Sequence, residues 1–148
     1  MKIGRLSGVM MLTLALLATA HVYAQDDSIK KRQKLMKSNS SASKAIKAAI
    51  GKKDFPAVET KAKHIAENVS RLEKLFPKGT LSPESRAKAA IWEKWDEFAK
   101  DAEAAKTAAG DLAAAAAAKD AAAVEEKAKV LGKSCSSCHK TFRAPKKK

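Results

Sequence analysis

Cys135, Cys138 and His139 stand together near the C-terminus in the run Cys135-Ser136-Ser137-Cys138-His139, two thiols and an imidazole close enough to act on one ligand. On a helix of about 3.6 residues per turn the second cysteine falls about 60° behind the first and the histidine about 40° ahead of it. The three groups therefore share a face. C-x-x-C-H at this spacing is the attachment signature of a c-type haem: the thiols can add to the two vinyl groups along one porphyrin edge while the imidazole reaches the iron. Other chemistries explain less of the pattern. A thioredoxin-like C-x-x-C wants a βαβ setting, and the chain has no run of alternating β-branched residues. A structural zinc site needs four Cys or His ligands, for which the chain beyond residue 24 has only Cys135, Cys138, His139 and a distant His64. A disulfide between residues three apart closes too small a loop to stabilise much, and it leaves the histidine unexplained.

The N-terminus says where such a cofactor would be attached. Lys2 and Arg5 precede an apolar segment from Gly8 to Ala20, and Val22-Tyr23-Ala24 supplies the small residues that a signal peptidase reads. The expectation is a secretory signal peptide over residues 1–24 and a single functional domain over residues 25–148. The apolar run of about 13 residues is short of the roughly 20 that a spanning helix needs, so an integral membrane protein is not expected. No cysteine follows the cut to carry a lipid. Export to the periplasm agrees with the motif, because covalent haem attachment of this kind takes place outside the cytoplasm, where bare thiols would otherwise oxidise. The leader carries Lys2 and Arg5 and no carboxylate, so its removal takes the formal charge from +14 to +12. The 124 residues left suit one domain. They contain one methionine, Met36, and two histidines, His64 and His139.

Four helices are predicted to position the motif. The first runs from Asp27 to Ile50, with Ile29, Met36, Ala42, Ile46, Ala49 and Ile50 near one face and Gly51 as its stop. Asp54 caps the second, in which Phe55, Val58, Ala62, Ile65, Val69, Leu72 and Phe76 recur at helical spacing before Pro77 ends it. A turn-rich stretch follows, and Ser82-Pro83 reads as the start of a third helix that continues to Ala118 with Ile91, Trp92, Trp95, Phe98 and Ala102 buried. Asp120 opens the fourth, which carries the motif and ends near Phe142 or Arg143, leaving a mobile tail from Ala144. The alanine-rich run from Leu112 to Ala123 is strongly helix-forming and suits close helix packing. The many lysines make a basic surface. Nucleic acid is not an expected partner, since export removes the chain from it and no interleaved basic and aromatic reader is visible. His64, off the apolar stripe of its helix, reads as a surface residue.

A secretory signal, four helices and a single C-x-x-C-H close to the C-terminus resemble the cytochrome c-prime family, the class II c-type cytochromes. Class I cytochromes place the motif near the N-terminus and their methionine downstream, the reverse of this order. Arg32-Gln33-Lys34-Leu35-Met36-Lys37 resembles the first-helix segment that lies over the distal haem face in the family, and Trp92 and Phe142-Arg143 also fit. The fold expected is all-α, a left-handed antiparallel four-helix bundle with one covalently bound haem c. The resemblance implies that Cys135 and Cys138 form the two thioethers, that His139 is the proximal ligand, and that Arg32 and Gln33 lie near the haem propionates. High-spin members of the family leave the distal iron site open to nitric oxide or carbon monoxide, and a low-spin branch fills it with methionine. Met36 lies one helical turn after Arg32, on the same face. Core packing is its other reading. Met/His ligation raises the reduction potential, which suits a carrier of single electrons between redox proteins, acidic ones included. A homodimer is possible and no substrate is expected to be transformed. The alternative is a gas-binding protein with an open distal site; a peroxidase-like role lacks a distal His and Arg pair.

Overall fold

The structure, a computed structural model, describes the backbone of residues 7–146 and the side chains of residues 27–146. Helix α1 spans Ser7–Gly51, longer than the Asp27 to Ile50 expected, because no proline or glycine lies between Val9 and Ile50 to interrupt it. The side chains of the expected leader, residues 1–24, lie outside those described. The chain then turns with Lys53 in the left-handed region at φ 56°, and Asp54 caps α2, Phe55–Ser70, by accepting from the Ala57 amide at 3.1 Å. The same device recurs before the last helix. Lys119 is left-handed at φ 56°, and Asp120 accepts from the Ala123 amide at 3.0 Å to open α5, Ala121–Phe142. Both caps were legible as Asp residues ahead of an apolar period.

Two boundaries depart from the sequence expectation. Helix α2 stops at Ser70, and Leu72 and Phe76 reach the core around a single 3-10 turn, Glu73–Leu75; Pro77 disfavours a helical conformation at the residue before it, and Phe76 sits at φ −121°, ψ 53°. Ser82-Pro83 opens only a turn, in which the Ser85 amide donates to the Ser82 carbonyl at 2.9 Å. The segment that follows is extended, because its backbone pairs with the end of α5: the Lys88 amide donates to the Phe142 carbonyl at 3.0 Å and the Ala144 amide to the Arg86 carbonyl at 2.7 Å, around a bridge between Ala87 and Arg143. Helical structure resumes as α3, Ala90–Glu93, and after a break at Lys94 continues as α4, Trp95–Ala117. Ala144, expected in a mobile tail, is held here.

The four long helices form the bundle, α1 packing on α2, α2 on α4 and α4 on α5, while α1 and α5 hardly touch. The buried face of α2 (Val58, Ala62, Ile65) meets a face of α4 made largely of alanine (Ala102, Ala105, Ala109, with Leu112), and the small side chains let the two backbones approach closely. At the motif end of the bundle, aromatic rings take over. Phe98 makes edge-on contacts with Phe76 at 5.0 Å and Phe142 at 5.4 Å between centroids, pairs worth about 0.5–1.5 kcal/mol each beyond their burial. The Trp92 indole N–H is shared by the Phe76 and Pro77 carbonyls at 3.0 and 3.1 Å. That end of the core is thereby made rigid beside the gap between α1 and α5.

Candidate cofactor site

Helix α5 is anchored by Val124, Leu131 and Phe142, all buried. Cys135 follows Leu131 by one turn, and Cys138 and His139 precede Phe142 by one, so all three are drawn to the inner edge of the helix, half-buried at the gap left by α1. Both cysteines are free thiols. The gap holds two cavities. One, of about 490 Å³, has Arg32, Gln33 and Met36 on its α1 wall, Cys138, His139 and Phe142 on its α5 wall, and Phe76, Ile91 and Phe98 at its base. The other, of about 570 Å³, lies between Ile46 and Ile50 of α1, Leu112 of α4, and Ala128, Leu131 and Cys135 of α5. Both fall within the roughly 300–1,000 Å³ of small-molecule and cofactor sites.

Burial and the nearby Arg143 and Arg86 lower the His139 pKa below its ordinary value, which leaves the imidazole neutral and a ring nitrogen lone pair available to a metal. Burial, with Asp101 and Cys135 adding to it against Arg143, pushes the Cys138 thiol up to about 11. Burial raises Cys135 as well, opposed by a backbone hydrogen bond. Both sulfurs are therefore protonated near neutral pH, as required of groups that add S–H across a vinyl double bond. An apolar cleft with two thiols and a neutral imidazole on its α5 wall, a thioether on its α1 wall and guanidinium groups at its rim fits the chemistry of a haem: an apolar plate, a covalent edge, donors for the iron and cations for anionic propionates.

Arg32 and Gln33 both reach the cavity wall, but Arg32 has a further role that its sequence context does not reveal. The residue is 3% exposed; its guanidinium donates to the Thr80 hydroxyl at 3.0 Å, the Thr80 carbonyl at 2.7 Å and the Ser85 hydroxyl at 2.7 Å, and it lies 4.7 Å from the centroid of the Phe76 ring. Three of its five N–H groups thus tie the loop after Pro77 to α1. Gln33 adds a bond to the Glu84 carbonyl at 3.0 Å. Thr80, Ser85 and Arg86 escaped the sequence reading, since nothing in a polar, turn-rich stretch marks Thr80 as buried at 1% exposure. His64 is exposed, as expected, and bonds to the Ser38 hydroxyl at 2.7 Å and the Asn68 amide at 3.0 Å.

Known proteins agree with this arrangement. Residues 27–143 match the family described as Cytochrome C'. The chain is 39% identical over 116 residues to a cytochrome c' of Pararhodospirillum photometricum, covering 76% of this chain and 92% of that one. It is 35% identical over 134 residues to a cytochrome c-556 of Agrobacterium fabrum, covering 88% of this chain and 89% of the relative. The fold superposes on the crystal structure of cytochrome c' from Thermochromatium tepidum with a TM-score of 0.76 and 28% identity, covering 82% of this chain and 97% of that one. With the bundle, the cleft and the C-x-x-C-H motif in place, the chain belongs to the cytochrome c' family of c-type cytochromes.

Proposed function

We propose that this protein carries single electrons between redox proteins in the periplasm, after removal of residues 1–24 as a signal peptide. Proteins of the family carry covalently bound haem c, which supplies one-electron chemistry between ferrous and ferric iron. In this chain Cys135 and Cys138 would form the thioethers and His139 would ligate iron from the α5 wall. Met36 would supply a second ligand to the iron from the α1 wall, and Arg32 and Gln33 would neighbour the propionates. The observation that carries the reading is that Met36 and His139 line one cavity. A thioether there would stand where a gas would otherwise bind, and the same two side chains would hold the iron in both oxidation states, so that little rearrangement of the protein would accompany each electron. Nothing is transformed.

The test is the visible spectrum of the reduced holoprotein, matured in a host with haem attachment machinery, and its response to carbon monoxide. Low-spin iron that takes up carbon monoxide slowly or weakly at neutral pH is the expected result. High-spin iron that binds it readily would remove the Met36 ligation and favour gas binding at an open distal site. Acidified acetone should leave the haem on the polypeptide; haem that extracts would refute the thioethers.

A further inference from the structure

Charge in this chain is sorted by helix. Between Ser28 and Lys53 there are nine Lys and Arg residues and no carboxylate, and between Lys127 and Lys148 there are eight and none. Seven of the first nine lie in α1 and four of the second eight, Lys127, Lys129, Lys133 and Lys140, in α5, against Asp26 and Asp27 of α1 and Glu125 and Glu126 of α5; these two helices flank the cleft. On the far side, α2 carries two lysines against two glutamates, and α4 has five carboxylates against two lysines. The lips of the cleft repeat the imbalance: Lys37, Lys47, Arg86, Lys129 and Arg143 line its two cavities, against Glu84 and Glu125 alone. Among the described residues none of these five cations is in an ion pair.

Arg86 is also fixed in place, and the backbone of Arg143 is held beside it. The bridge between Ala87 and Arg143 holds the two short segments together, and the Arg86 Nε–H donates to the Ala144 carbonyl at 2.8 Å.

We propose that the mouth of the cleft between α1 and α5 is the docking face for an acidic electron-transfer protein, with Lys37, Lys47, Arg86, Lys129 and Arg143 as its contact cations and the α2/α4 side left outward. The proposal rests on the electron-carrier reading, and it identifies the surface through which the partner arrives. A charge distribution with one positive end orients the encounter as well as accelerating it. A protein partner fits better than a lipid surface. The exposed large apolar side chains among the described residues are only Leu81 and Val130, which gives the face little to insert into a bilayer.

The experiment compares charge reversals that change net charge equally but differ in place. Lys37→Glu, Lys47→Glu and Lys129→Glu alter the cleft face; Lys61→Glu on α2 and Lys100→Glu on α4, both exposed, alter the opposite side. Stopped-flow electron exchange between each reduced holoprotein and plastocyanin, taken as an acidic redox protein, is followed over a range of ionic strength, with midpoint potentials measured to remove differences in driving force. Each cleft variant should slow the reaction about three- to tenfold at low ionic strength, each distal variant less than about twofold, and the difference should vanish at high salt. Equal slowing by all five variants, or rates independent of salt, would overturn the docking face. So would cleft-lysine-dependent sedimentation with phosphatidylglycerol vesicles, but not with phosphatidylcholine vesicles, if plastocyanin rates were unchanged by the variants. The two readings fail separately: high-spin, carbon monoxide-binding wild type that keeps place-dependent rates removes the Met36 ligation and retains the docking face, whereas low-spin protein with place-independent rates overturns the docking face alone.

Discussion

Met36→Ala separates a ligand from a packing residue. Met36 is half-buried on the cavity wall, and it packs against the edge of the core. Full burial would make its truncation cost about 2–5 kcal/mol; half-burial on the wall of an existing cavity brings the packing loss to about 1–2.5 kcal/mol, offset by a few tenths from the better helix propensity of alanine. For a domain of this size that is a fall in Tm of about 4–10 °C, so the bundle stays folded at room temperature. The coordination change should be far larger in effect. Reduced Met36→Ala protein should become high-spin and bind carbon monoxide readily, its midpoint potential should fall, and its far-ultraviolet circular dichroism should match wild type. A variant that keeps the wild-type visible spectrum while losing only the few degrees of Tm would make Met36 a packing residue and refute the ligand assignment.

Other perturbations test the parts that hold the site. Arg32→Met removes three charge-assisted hydrogen bonds to the loop after Pro77, so the domain should lose about 2–4 kcal/mol and amide exchange should accelerate around Thr80 to Ser85; unchanged protection there would mean that the loop does not depend on the clamp. Asp120→Ala removes the cap on the Ala123 amide and should cost about 1 kcal/mol in guanidinium melts, while Asp120→Asn should restore most of it; a variant as stable as wild type would refute the cap. In the haem-free chain, Cys138 is raised to about 11 and so keeps its proton in the fold after an unfolded thiol, near 8.5, has lost it. Stability of that chain should therefore be flat below about pH 8.5 and fall as pH rises toward 11. Iodoacetamide should modify Cys138 more slowly than free cysteine at pH 8, with a rate rising about tenfold per pH unit below its pKa; a rate that levels off near pH 9 would rule out the shift.

Much of the site was written locally. C-x-x-C-H on one helix needs no partner element to be read, because helical geometry alone brings Cys135, Cys138 and His139 to one edge, and the one methionine after residue 24 shares a helix face with Arg32. Caps at Asp54 and Asp120 are likewise properties of a few neighbouring residues. What the tertiary structure decided involves residues far apart in the chain. The helix expected from Ser82-Pro83 is displaced to Ala90 because residues 86–88 find their hydrogen-bond partners in residues 142–144, a pairing that no local preference encodes. Arg32 turns its guanidinium to Thr80 and Ser85, 48 and 53 residues away, since a buried cation must gather donors' partners wherever the fold brings them. Above all, the cleft exists because α1 packs on α2 and α5 on α4 while α1 and α5 stay apart: periodicity tells which face of a helix is apolar, and only the assembled bundle determines which apolar faces are left without each other.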